Sequence, residues 1–372
     1  MMEYGPREIK IIDETLREGM QTPGLVFSIN EKVKISELLD KVGVFGIMVS
    51  YPAAHESEVK ALESVMALKR EGKITSEVIG HGRLIQKDAD LIGKTGAFVN
   101  LHFPLGFKPT DTELMSAIRK TIKYVKEQYG RIKVDLVDVA SLTIDDLKKT
   151  SIFVAESGAD IICLPDTTGQ LTPGKYGRII NEVKKALERE NLQTGISVHC
   201  HNDYGAAIAN TIAGVYNGAD YVEVTIGGLG ERNGIADLAI TCAILEKDGF
   251  KTGVNIMSNN LIDLYRYVST VVNERLNISL IDPRWPIFGD FVSIHTAGTH
   301  VMPVKTSLPS RKWGISLTVY TGRHAVKKVT SELGYELTDD QIRKLTKLIK
   351  DLSAQKCREI TLDELKELIS SL

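Results

Sequence analysis

The 372-residue chain contains little that would tie it to a membrane, a nucleic acid or an oxidising compartment. Its four cysteines, Cys163, Cys200, Cys242 and Cys357, are scattered without a CxxC pair. That spacing argues against a disulfide framework and a zinc ribbon, and leaves four reduced, mostly buried thiols as the expectation. No apolar run approaches the roughly 18 residues of a membrane span, and residues 1–8 carry no apolar signal core. Lys and Arg number 46 against 48 Asp and Glu, a net charge of −2 that points to neither nucleic acid nor a membrane surface as partner. These absences predict a cytoplasmic, soluble protein. Its length suits a barrel of about 250 residues with an appendage.

What is present has a rhythm. Gly43, Gly96, Gly158 and Gly218 each stand between a helix-like stretch and an apolar strand, about 50 to 60 residues apart, roughly the span of two βα units. A series of such units implies parallel strands wrapped by helices. Ser28 and Glu31 form a capping box ahead of Val33, Ile35, Leu38, Leu39 and Val42, and Thr172-Pro173 opens a second helix that buries Ile179, Ile180, Val183 and Leu187. Strands are predicted at 160–164 and 221–225. After about Asn277 four prolines, Pro283, Pro286, Pro303 and Pro309, break the pattern, predicting an irregular lid over 281–324. Residues 325–372 read as a charged helical subdomain, in which Thr338 and Gln341 cap an apolar stripe of Ile342, Leu345, Leu348, Ile349 and Leu352, either core or dimer contact. No effector-binding domain is expected beyond it.

The chemistry concentrates in three strings. In Val198-His199-Cys200-His201-Asn202-Asp203 the two histidines stand two apart, and on a strand both imidazoles face one side, spaced to share a cation. In Asp13-Glu14-Thr15-Leu16-Arg17-Glu18-Gly19-Met20-Gln21, at the end of the first apolar run, Asp13 offers an oxygen ligand. Arg17 offers a fork for a carboxylate or a developing oxyanion. The third is Gly227-Gly228-Leu229-Gly230-Glu231-Arg232-Asn233-Gly234, which lacks the Lys-Ser/Thr of a phosphate loop.

Together these strings resemble the acyl-CoA-dependent DRE-TIM metallolyases, which include isopropylmalate, homocitrate and citramalate synthases and hydroxymethylglutaryl-CoA lyase. The resemblance runs from about Ile9 to Val326. It implies a (β/α)8 TIM barrel spanning 1–280, with a divalent metal, zinc, magnesium or manganese, held by Asp13, His199 and His201. Arg17 would polarise the substrate's oxo group, and Gln21, His81, Arg83 and Thr167 would contact the substrate. Within Ile294 to His300, a string like the family's lid motif, His300 would serve in proton transfer at a neighbouring subunit's site, which calls for a homodimer.

The resemblance implies an acyltransferase that condenses acetyl-CoA with a 2-oxo acid and hydrolyses the thioester, in amino-acid biosynthesis. Its motifs point to 2-oxoglutarate slightly ahead of 2-oxoisovalerate and pyruvate. A carbon–carbon lyase or aldolase using the same metal is the alternative, and a non-catalytic 2-oxo acid sensor stands behind both. Met48 and Val137 replace family acids, which predicts a more apolar pocket.

Overall fold

The computed structural model describes residues 7–280, 291–293 and 313–372. The chain divides into two compact units, residues 1–280 and 281–372. His300 and most of the expected lid lie outside the described residues.

In the first unit eight strands, β1 (Lys10–Asp13), β2 (Gly46–Ser50), β3 (Glu77–Arg83), β4 (Phe98–His102), β5 (Ile132–Asp135), β6 (Ile161–Asp166), β7 (Gly195–Cys200) and β8 (Tyr221–Val224), pair in sequence order. Every pairing is parallel, and β8 returns to β1 with Asp13 opposite Val224, so the sheet is a closed barrel. Between and after the strands run α1 (Ile29–Val42), α2 (Glu56–Arg70), α3 (Gln86–Gly93), α4 (Thr112–Tyr129), α5 (Ile144–Glu156), α6 (Pro173–Arg189), α7 (Ala207–Tyr216), α8 (Leu238–Lys247) and α9 (Asn259–Leu276). This is the (β/α)8 architecture expected from the sequence.

Local signals explain where the elements begin and stop. The Ser28–Glu31 capping box forms at the head of α1, and Gly43 ends that helix at φ 98°. A Cβ there would lie 2.4 Å from the Gly253 carbonyl oxygen, so only glycine fits. The other three glycines of the series also take positive φ.

Inside the barrel, Ile12, Met48, Ile79, Phe98 and Ile161 pack as one apolar layer. Strand alternation then decides what lies above them: Glu14, His81, Asn100 and His102 share the inward parity of Ile12, Ile79 and Phe98. Toward the strands' C-terminal ends the interior therefore changes from apolar to charged, which in this fold is the end that hosts chemistry.

The second unit has a core of its own. Strands β9 (Phe291–Ser293) and β10 (Trp313–Ile315) pair in parallel, followed by α10 (Arg323–Glu332), α11 (Asp339–Lys356) and α12 (Leu362–Ser370). The α11 stripe is core: Ile342, Leu345 and Ile349 are buried against Val326, Val329 and Leu365. Among the described residues no helix is long and apolar enough to cross a membrane.

Candidate metal centre at the barrel mouth

A cavity of about 270 Å³ opens at the C-terminal mouth of the barrel, and its lining includes Arg17, Glu18, Gln21, His81, Thr167, His199 and His201. Six of the sequence-predicted site residues are thus brought together. The His199 and His201 rings face each other with their Nε2 atoms 3.3 Å apart. Glu18 joins them, and one donor atom from each of the three lies within 4.8 Å of the others.

Asp13 does not fit the ligand role expected of it. Ile12 points into the barrel, so alternation turns Asp13 outward toward the helices, where its Oδ1 accepts from the Thr15 N–H at 2.9 Å. Burial, then the Glu14 and Asp237 carboxylates, push its carboxyl up to about 7. The acid that meets the histidines stands five residues later, in the turn after β1 where alternation no longer applies. Arg83 also departs from expectation. Its guanidinium turns to Asp88 on α3, with Nε to Oδ2 2.8 Å, and it does not line the cavity.

Residues the sequence reading passed over complete the centre. Glu223 on β8 accepts from Ser197 Oγ at 2.6 Å and meets His199 Nδ1 at 3.0 Å. That contact fixes the ring so that Nε2 is presented to the cavity, the usual support for a ligating histidine. Glu14 lies 3.5 Å from the same Nδ1. Lys133, fully buried, bridges Asp135 at 2.6 Å and Glu223 at 2.8 Å. Arg17 pairs with Glu14 and, at 2.6 Å, with Glu18, leaving its buried Nε without a partner. The signal that would have found these groups is parity: charged side chains at inward positions of buried strands.

Of the two positions expected to make the pocket more apolar, only Val137 reaches it. Met48 belongs to the lower apolar layer and does not line the cavity, while Val137 does. Glu18, Asp135, Glu223 and Glu231 all contribute to the lining.

The glycine-rich string after β8 serves this centre directly. The Glu231 N–H donates to Glu18 Oε1 at 2.9 Å, and Arg232 holds Asp203 at 2.7 Å and the Thr167 carbonyl at 2.6 Å. The Thr167 hydroxyl accepts from the Asp138 N–H at 2.8 Å. Gly234, at φ 74°, folds so tightly that a Cβ would sit 1.7 Å from the Gly228 carbonyl oxygen.

The electrostatics suit a cation. Four acids, Glu14, Glu18, Asp135 and Glu223, surround two permanent cations, Arg17 and Lys133, and burial lifts the Glu14 carboxyl to about 7. Burial works against a charged His199, yet Glu14 and Glu223 outweigh it and lift the imidazole to about 10. His201 is driven the other way, to about 4, by burial and then by His199. Burial would raise Glu18, but Arg17 and the two histidines hold it below its usual range. Two imidazoles and a carboxylate, with positive charge favoured between them, fit a divalent ion with positions left open.

Fold and cluster together describe a (β/α)8 barrel with an imidazole-and-carboxylate centre at its catalytic mouth. The chain belongs to the HMGL-like family, whose model matches residues 8–268. It is 32% identical to a homocitrate synthase of Saccharolobus islandicus (strain L.S.2.15 / Lassen #1), over 97% of this chain and 80% of that one. It is likewise 32% identical to a homocitrate synthase of Sulfurisphaera tokodaii, over 98% and 81%. Among solved structures, a hydroxymethylglutaryl-CoA lyase from Pseudomonas aeruginosa superposes with a TM-score of 0.60 at 18% identity, covering 72% of this chain and 94% of the lyase. The carboxyl transferase domain of Rhizobium etli pyruvate carboxylase, solved with 3-hydroxypyruvate, gives 0.59 at 15% identity, over 73% and 48%. At those identities the likeness is one of fold.

Proposed function

We propose that the protein is a metal-dependent acyltransferase that condenses acetyl-CoA with a 2-oxo acid and releases coenzyme A by thioester hydrolysis. The observation that carries the reading is the junction of Glu18, His199 and His201 with Arg17 in one cavity, in a chain 32% identical to homocitrate synthases over nearly its whole length. Glu18, His199 and His201 would hold the metal. When bound, a divalent ion supplies a Lewis acid for the oxo group and a point of chelation for the adjacent carboxylate.

The chain's own residues supply the rest. Glu14 and Glu18 hold the Arg17 guanidinium in place at the cavity wall, where its fixed positive charge stabilises charge developing on the substrate oxygen. The Thr167 hydroxyl, held by the Asp138 N–H, binds the acceptor's carboxylate, and Gln21 and His81 flank it. Burial and the nearby Arg17 hold His81 well below the usual histidine range, so it acts as a neutral hydrogen-bonding group. The acetyl methyl group loses a proton and its carbon attacks the oxo carbon. Water then cleaves the thioester, with thiol as leaving group. By the family resemblance, His300 of a second subunit moves the proton, which makes the working form a homodimer; we place it in the cytoplasm on the composition of the chain.

The test is thiol release by metal-loaded protein given acetyl-CoA and a panel of 2-oxo acids. Release with one acid and not without it supports condensation. Silence across the panel, together with acetyl-CoA or pyruvate produced from a hydroxy acid, would replace it with the carbon–carbon lyase.

A further inference from the structure

Resting on the acyltransferase reading, the charge pattern of the cavity bears on which 2-oxo acid it accepts. Once the acceptor's carboxylate and oxo group are engaged at the metal side, its side chain must lie against the remaining wall, which includes His102, Asp135, Val137 and Pro165. A second carboxylate there would need a cation not already committed. Each described cation near the cavity is held by the protein's own acids. Arg17 is paired with Glu14 and Glu18, Arg83 is turned out to Asp88, and Arg232 is clamped on Asp203. Lys133, beneath the floor, sits 2.6 Å from Asp135 and 2.8 Å from Glu223.

Asp135 therefore has two effects. It consumes Lys133 from below, and it presents its own carboxylate to the cavity, steadied by the Asn100 side-chain N–H at 2.8 Å. A distal carboxylate would meet like charge, in a cavity that at about 270 Å³ is small for a ligand site. Val137 and Pro165 offer apolar surface instead. We infer that Asp135 is a specificity-determining residue: it selects a 2-oxo acid with a short uncharged side chain and rejects one carrying a second carboxylate. This runs against 2-oxoglutarate, the acceptor favoured by the motifs.

The test is calorimetric titration of the metal-saturated full-length protein with 2-oxovalerate and with 2-oxoglutarate, which share a five-carbon chain and differ in the distal carboxylate. The wild-type protein should bind 2-oxovalerate at least tenfold more tightly. In Asp135→Asn, with Lys133 released on one side, the preference should shrink by tenfold or more, and adding Lys133→Met should abolish that change. Equal or tighter wild-type binding of 2-oxoglutarate, or a folded Asp135→Asn protein with an unchanged ratio, overturns the inference. If that variant does not fold, the wild-type ratio decides alone. Discrimination in binding without thiol release for any acid overturns the acyltransferase reading and leaves the specificity intact. Failure to bind either acid overturns both.

Discussion

Glu18 and Asp13 illustrate how much a single side chain's direction decides. If Glu18, His199 and His201 are the ligands, Glu18→Gln, His199→Ala or His201→Ala should each leave a folded protein that no longer retains metal through dialysis, as read by elemental analysis. Glu223→Gln, one contact removed, should weaken metal affinity by about 10- to 100-fold without abolishing it. Protons compete for the same imidazole. Because His199 titrates near 10 in the protein, apparent metal affinity should rise with pH, by up to about tenfold per unit between pH 6 and 8, and a flat competition titration would contradict the assignment.

Asp13 gives the opposite test. Its folded-state value of about 7 lies above its unfolded one, so the protonated form is favoured in the fold; that stability is present below about pH 4 and is lost as pH rises through 7. Asp13→Asn should keep its metal and melt less differently at pH 5 and pH 8 than the parent. At this scale the sequence was half legible. Two histidines on one strand face can be read from spacing alone, whereas a string with acids at 13, 14 and 18 yields its ligand only when the strand's inward parity and its last residue are known.

At the scale of elements, the glycine-rich string links backbone shape to site chemistry. Gly234→Ala should destabilise the protein by about 1–3 kcal/mol or more, since no side chain fits against the Gly228 carbonyl, and should weaken metal binding through the loosened Glu231-to-Glu18 contact. Both effects are measurable in one metal-dependent melting experiment. Helix starts and stops were the most legible feature, because a capping box and a left-handed glycine act over four or five residues. Met48 was misjudged for the reverse reason. Its height along the barrel axis depends on how eight strands are staggered, and no local pattern encodes that.

For the whole molecule, two cores imply two unfolding events. Leu345→Ala, within the second unit's buried cluster, should cost that unit about 2–5 kcal/mol, while added metal should raise only the transition of the first unit, where the proposed ligands lie. Calorimetric scans with and without metal would separate them, and a single transition moved equally by both changes would count against independent cores. The barrel was legible because repetition is visible at a distance. The buried Lys133 network was not, since its members come from strands far apart in sequence and meet only inside.

The barrel's seam gives that network a temporal meaning. Glu14, near the beginning of the fold, and Glu223, on its last strand, both reach His199, so the centre straddles the junction where the ring of strands is joined. A growing chain holds the first acid for some two hundred residues before its counterparts exist, and loops of that length close late. With Glu18, His199 and His201 as the proposed ligands, metal capture would report completion: a chain able to retain the ion would already have joined the barrel's first strand to its last, and one stalled on the way would present no competent trap.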